Sequence, residues 1–145
     1  MREPERFTLA IAPAAIASVT VAWSGAERTL ARVRGMVGVA AGGNPSLVGP
    51  LERVAYNLPL LLACDALREA LVAARDAGHF ACGSDYAGPL MDAAKDALPW
   101  NNWQALRDGV RRRNRVAHDG ELYAAEQCIA DVQRIEAQLA AWGIT

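Results

Sequence analysis

Lysine is almost absent from this chain. Of its 145 residues, 15 are Lys or Arg, and 14 of those are arginine, Lys95 being the exception. Aromatic residues are scarce at 6%, and β-branched residues are sparse beside 30 alanines. Alanine is the best helix former, so this composition disfavours an all-β fold. Strong net charge is also missing: the formal balance is −1, which excludes a protein that coats nucleic acid through bulk charge. The three cysteines, Cys64, Cys82 and Cys128, form no CxxC pair, which argues against a zinc ribbon and a disulfide framework. No long hydrophobic run is present. The apolar stretch from Thr8 to Trp23 is 16 residues long and interrupted by Pro13, too short for a comfortable membrane span. The residues before it carry two Arg and two Glu and lack the cationic bias of a signal peptide. A soluble, cytoplasmic protein without a membrane partner is therefore expected.

What is there reads as helix. Apolar positions Ile16, Val19, Trp23, Ala26, Leu30, Val33, Val37 and Ala40 alternate at spacings of three and four, which predicts one long helix with a single buried stripe. Pro13 suits its first turn, and Gly42, Gly43, Asn44 and Pro45 end it. A second helical region begins near Ser46 or Leu47 and is kinked or broken at Pro59, with Asn57 as a cap in the second case. Its stripe is Leu60, Cys64, Leu67, Leu71 and Ala74, and Gly78 stops it. A short helix is expected over about Pro89 to Leu98. Another follows a cap at Asn101 or Asn102, with Trp103, Leu106 and Val110 inward. The last starts after Gly120, with Leu122, Ala125, Ile129, Val132, Ile135, Leu139 and Trp142 as its stripe and Gly143 as its stop. The fold class is all-α: an antiparallel four- to five-helix bundle forming a single domain over residues 1–145. Residues 1–12 read as a short strand or an ordered tail.

The charge is concentrated. Five arginines lie between positions 107 and 115, and the segment Arg111-Arg112-Arg113-Asn114-Arg115-Val116-Ala117-His118-Asp119-Gly120 is expected at the junction between the third and fourth main helices. Arg113 and Asn114 followed by His118 form an R-x4-H arrangement. Histidine can serve as proton acceptor or donor near neutrality, and arginine offers a planar fork of donors matched to phosphate oxygens. Together they can transfer protons and place positive charge on phosphate oxygens.

This arrangement resembles the signature of the HEPN superfamily of small helical bundles, many of which are ribonucleases or toxins. The resemblance covers residues 101 to 142 well and the rest through helix count and order. It implies a metal-independent endoribonuclease that needs no cofactor, with His118 as general acid/base, Arg113 as phosphate ligand and Asn114 as an orienting polar residue. It implies a homodimer in which two copies of the motif share one cleft, and an antitoxin protein as a possible partner. Arg111, Arg112 and Arg115 would then widen the footprint on RNA. Toxins paired with a minimal nucleotidyltransferase carry Tyr two residues after the motif His; here that position is Gly120, and the nearest aromatic is Tyr123.

Other readings stand beside this one. The arginines can be a solvated face that complements a helix C-terminus. The domain can be a non-catalytic HEPN-like nucleotide- or RNA-binding module, or a helical interaction protein. Asn114 can be a left-handed helix cap. His79 and Cys82, with Asp76 and Asp85 nearby, are weak metal-ligand candidates lacking a good fourth ligand. Asp92 and Asp96 share a solvated helix face. Trp23, Trp103 and Trp142 read as core or dimer-interface residues, and Trp100 as the tryptophan placed to meet a ligand.

Overall fold

The computed structural model describes residues 6–145 and contains no strand among them. Six α-helices follow in order: α1 (Pro13–Gly43), α2 (Val48–Val54), α3 (Asn57–Asp76), α4 (Ala87–Ala94), α5 (Trp103–Asp119) and α6 (Ala125–Ala141), with a 3-10 turn at Pro45–Leu47 before α2. The chain is thus the all-α bundle that its composition predicts. None of these helices is long and apolar enough to cross a membrane.

The stripe of α1 is buried at Val19, Trp23, Ala26, Leu30, Val33 and Ala40, while Ile16 and Val37 are half-buried. Pro13 occupies the first helical turn, where its missing N–H costs nothing. Helix α3 is the centre of the bundle and packs against α1, α4, α5 and α6. Alanines carry much of that contact: Ala26 of α1 and Ala63, Ala66, Ala70 and Ala74 of α3 have no exposed surface. Such small side chains let helix axes approach closely.

The second helical region is broken rather than kinked, and the break falls before Asn57. Pro59 lies in the first turn of α3, where it displaces no helical hydrogen bond. Asn57 is no cap. Its buried side-chain amide donates to the carbonyls of Arg53, Val54 and Tyr123 at 3.1–3.2 Å, and its Oδ1 accepts the Tyr123 N–H at 3.0 Å. One side chain thereby joins the end of α2, the start of α3 and the approach to α6. That clasp explains why α6 begins at Ala125 and leaves Leu122 exposed, outside the stripe expected for it.

Helix α4 is shifted earlier than expected and ends at Ala94. The following loop is pinned to α6 by Gln138, whose Oε1 accepts the Asn101 N–H at 2.8 Å, and by Trp142, whose Nε1 donates to Pro99 O at 2.8 Å. Residues 6–12 form an ordered tail without strand structure. Leu9 is buried and its N–H donates to Trp142 O at 2.8 Å. Residues 1–5 of the anticipated strand or tail lie outside the described residues.

Candidate functional site

Helix α5 has two halves with different surroundings. Asn102 caps its start, the side chain accepting the Ala105 N–H at 3.0 Å. Leu106, Gly109 and Val110 are buried, and beyond Val110 no residue of the helix is fully buried. The last two turns therefore rise out of the core. They end at Gly120, whose φ of 66° requires a residue without Cβ strain and turns its N–H back to Arg115 O. The whole Arg113-to-His118 segment is thus inside α5, not in the junction after it, and Asn114 is mid-helix rather than a left-handed cap.

On this exposed half the helix walls a cleft of about 630 Å³. Arg113, Asn114 and His118 line it from α5; Asp65 and Arg68 line it from α3. Asn114 and His118 are one turn apart and share a face. Arg113 starts roughly 140° around the helix from His118, so it reaches the cleft by side-chain length. Its NH1 donates to Asn114 Oδ1 at 3.3 Å and its NH2 to Asp65 Oδ1 at 3.5 Å. Both contacts are long, and they occupy two of five guanidinium N–H groups. Asn114 orients the arginine and makes no hydrogen bond to the imidazole among the described residues. The opposite rim is the segment entering α4, including Asp85 and Tyr86. Asp85 is engaged elsewhere, accepting from Arg75 NH1 at 2.7 Å.

Cys64 lies at the cleft floor and is fully buried. Burial pushes its thiol up to about 12, aided by the charge of Asp131, so it stays protonated and is no nucleophile at neutral pH. Cys128 is pushed up to about 11, again chiefly by burial.

The remaining arginines of the cluster are not equivalent. Arg112 holds Asp131 of α6 through two bonds, Nε to Oδ2 at 2.7 Å and NH2 to Oδ1 at 2.6 Å. The Asp131 side chain is only 1% exposed. Arg112 is thereby committed to the fold, which corrects its assignment to an RNA footprint: releasing it would leave the buried carboxylate with only the more exposed Arg134, at 3.3 Å, as ion-pair partner. Arg107 is paired with Asp92, Nε to Oδ1 at 3.0 Å, so Asp92 is not merely a solvated residue. Arg111 is exposed and paired with Asp108 at 3.1 Å. Arg115 is exposed and has no carboxylate within ion-pair distance among the described residues. The cluster is therefore much closer to neutral than its spelling suggests.

The other residues singled out from the sequence lie apart from the cleft floor. His79 Nε2 donates to Ala10 O at 2.6 Å and ties down the N-terminal tail. Cys82 Sγ contacts Ser84 O, and Asp76 accepts from Arg75. No group of three or more His, Cys, Asp or Glu side chains among the described residues is placed to hold a metal ion. Trp100 is not a ligand platform. Its Nε1 donates to Ala94 O at 3.1 Å and its ring meets Trp142 edge-on at 4.9 Å. Trp103 is half-buried, donates to Met91 O at 3.0 Å and carries Lys95 over its ring.

Asp65, Arg68 and Tyr86 escaped sequence reasoning because the bundle brings them to the site from 48, 45 and 27 positions before Arg113. A signal was present for two of them. Asp65 and Arg68 interrupt the apolar run of α3 at a three-residue spacing and so share one helix face. Comparison with known proteins adds nothing to this geometry: no family model, curated protein or solved structure matches the chain.

Proposed function

We propose that this chain is a metal-independent endoribonuclease of HEPN type, acting as a homodimer on RNA. The observation that carries this reading is the convergence of Arg113, Asn114 and His118 on one open cleft. An imidazole and a guanidinium on one wall meet the two requirements of the reaction, proton transfer and charge stabilisation. In the proposed step the ribose 2′-oxygen attacks the adjacent phosphorus and gives its proton to a base. The bond from phosphorus to the 5′-oxygen breaks, and that oxygen takes a proton from an acid. The products are a 2′,3′-cyclic phosphate and a free 5′-hydroxyl. Arg113 binds the non-bridging oxygens, on which charge grows, and Asn114 keeps that guanidinium turned into the cleft. One His118 serves as base and the partner copy's as acid, which is the chemical reason for two copies.

The test is end-group analysis of single-stranded RNA incubated with the protein and excess EDTA. Cyclic phosphate ends that disappear with His118→Ala support the reading. RNA retained intact on wild-type protein makes the chain a binding module instead, and RNA neither held nor cut removes nucleic acid from the account.

A further inference from the structure

Five arginines are half-buried among the described residues: Arg68, Arg75, Arg107, Arg112 and Arg113. Four of them meet a carboxylate, and Arg68 meets none among the described residues within ion-pair or hydrogen-bond distance. It stands one turn after Asp65 on α3 and borders the cleft on one side. On its other side lies a shallower groove toward α1. A partly desolvated guanidinium without an anion is the arrangement that a phosphate completes.

Across the cleft stands Tyr86, the residue before α4, 77% exposed. Its ring takes part in no aromatic pair and its hydroxyl in no hydrogen bond among the described residues. The loop that presents it is nonetheless braced. Arg75 NH1 donates to Ser84 O at 2.9 Å and to Asp85 Oδ1 at 2.7 Å, and the Tyr86 N–H donates to Ser84 Oγ at 3.1 Å. A large aromatic side chain held outward on a fixed loop is poor use of apolar surface for folding and good use for stacking a base. The cleft volume of about 630 Å³ lies within the range of roughly 300–1,000 Å³ usual for sites that enclose small organic groups. That suits an unpaired nucleotide rather than a duplex.

We propose that Arg68 and Tyr86 are substrate-binding residues of the cleft. Tyr86 stacks on an unpaired base, and Arg68 holds the phosphate next to the one at Arg113. The substrate class is single-stranded RNA with at least one base free of its neighbours. This inference rests on the RNA reading of the cleft, and the experiment separates the two.

The probe is a fluorescein-labelled oligoribonucleotide with 2′-O-methyl groups throughout, which binds but cannot undergo 2′-oxygen attack. Its affinity for the full chain is measured by anisotropy over a salt series. Arg68→Gln weakens binding roughly tenfold and lowers the slope of log affinity against log salt by about 0.7, the share of one phosphate contact on a single strand. Tyr86→Ala weakens binding roughly tenfold with the slope unchanged, and Tyr86→Trp restores it. A blunt duplex of the same sequence competes poorly. If both variants bind like wild type while Arg113→Ala binds weakly, Arg68 and Tyr86 are not binding residues and the RNA reading stands. If the duplex competes as well as the single strand, stacking on an unpaired base is wrong. If wild type neither binds the probe nor cuts unmodified RNA, the RNA reading itself fails and takes this inference with it.

Discussion

Arg112 and Arg113 are neighbours in sequence, and each faces an aspartate from another helix, yet the two pairs are opposite in kind. Arg112 grips Asp131 through two bonds of 2.6–2.7 Å, and that carboxylate is 1% exposed. Arg113 touches Asp65 once, at 3.5 Å, and that carboxylate is 46% exposed. One pair is closed and desolvated, so its removal leaves the buried carboxylate to the more exposed Arg134 alone. The other is open and wet, so water or a phosphate can replace the partner at little cost. A step of one residue turns a helix by about 100°, which is enough to move the same side chain from a closed, buried ion pair to an open, wet one. Residue type alone therefore says little about an arginine; depth and the geometry of its anion decide.

The contrast breaks most visibly in stability. Arg112→Ala leaves Asp131 buried with only Arg134 at 3.3 Å and Gln127 at 3.4 Å as side-chain partners, and costs about 2–4 kcal/mol, less than a wholly unpaired buried charge would. Urea unfolding measures it, and a cost below about 1 kcal/mol would place Arg112 with Arg113. Gly109→Ala attacks the same pair from the side. A Cβ there meets Asp131 Cγ and Oδ1 at 3.3 Å, and Arg112 keeps the carboxylate from yielding, so a loss of roughly 1–3 kcal/mol is expected in the same assay.

Cys64 sits between the two regions, with Asp131 raising and Arg113 lowering its thiol. The unfolded thiol ionises near 9 and the folded one near 12, so the unfolded state releases its proton first. This thiol's contribution is fully present below pH 9 and declines from there toward pH 12. Cys64→Ala should therefore flatten the alkaline fall of the unfolding free energy relative to wild type, and equal slopes would show that the thiol is not desolvated. Iodoacetamide at neutral pH should label half-buried Cys82 before Cys64 and Cys128, as read by peptide mass mapping. The smallest effect belongs to the open side. Arg113→Ala should change stability by less than about 1 kcal/mol while abolishing RNA binding or cleavage. A large loss of stability would mean that the Asp65 pair holds the bundle together.

Much of the fold was legible because helices repeat. The α1 stripe, Pro13 at its start, the Asn102 cap and the glycine after α5 are local features with local physics. What was misread depended on distant partners. Asn57 looked like a cap and is a clasp to Tyr123, a contact across 66 positions. Leu122 matches the period of α6, but the clasp holds the chain non-helical there. Of the site, Arg113, Asn114 and His118 were visible as a motif, and their shared helix and cleft were not. Arg112 looked like a phosphate ligand because nothing near it in sequence announces Asp131, although an aspartate between Ile129 and Val132 on an apolar face is itself a hint of a buried partner.

The most direct measurement is the single-turnover rate of cleavage of a labelled single-stranded RNA in EDTA by wild type and by His118→Ala, with thermal unfolding of both alongside. The account predicts cyclic phosphate products from wild type, a rate at least about 100-fold lower for His118→Ala, and matching unfolding curves. Equal rates from the two proteins, or no cleavage by correctly folded wild type, would contradict it.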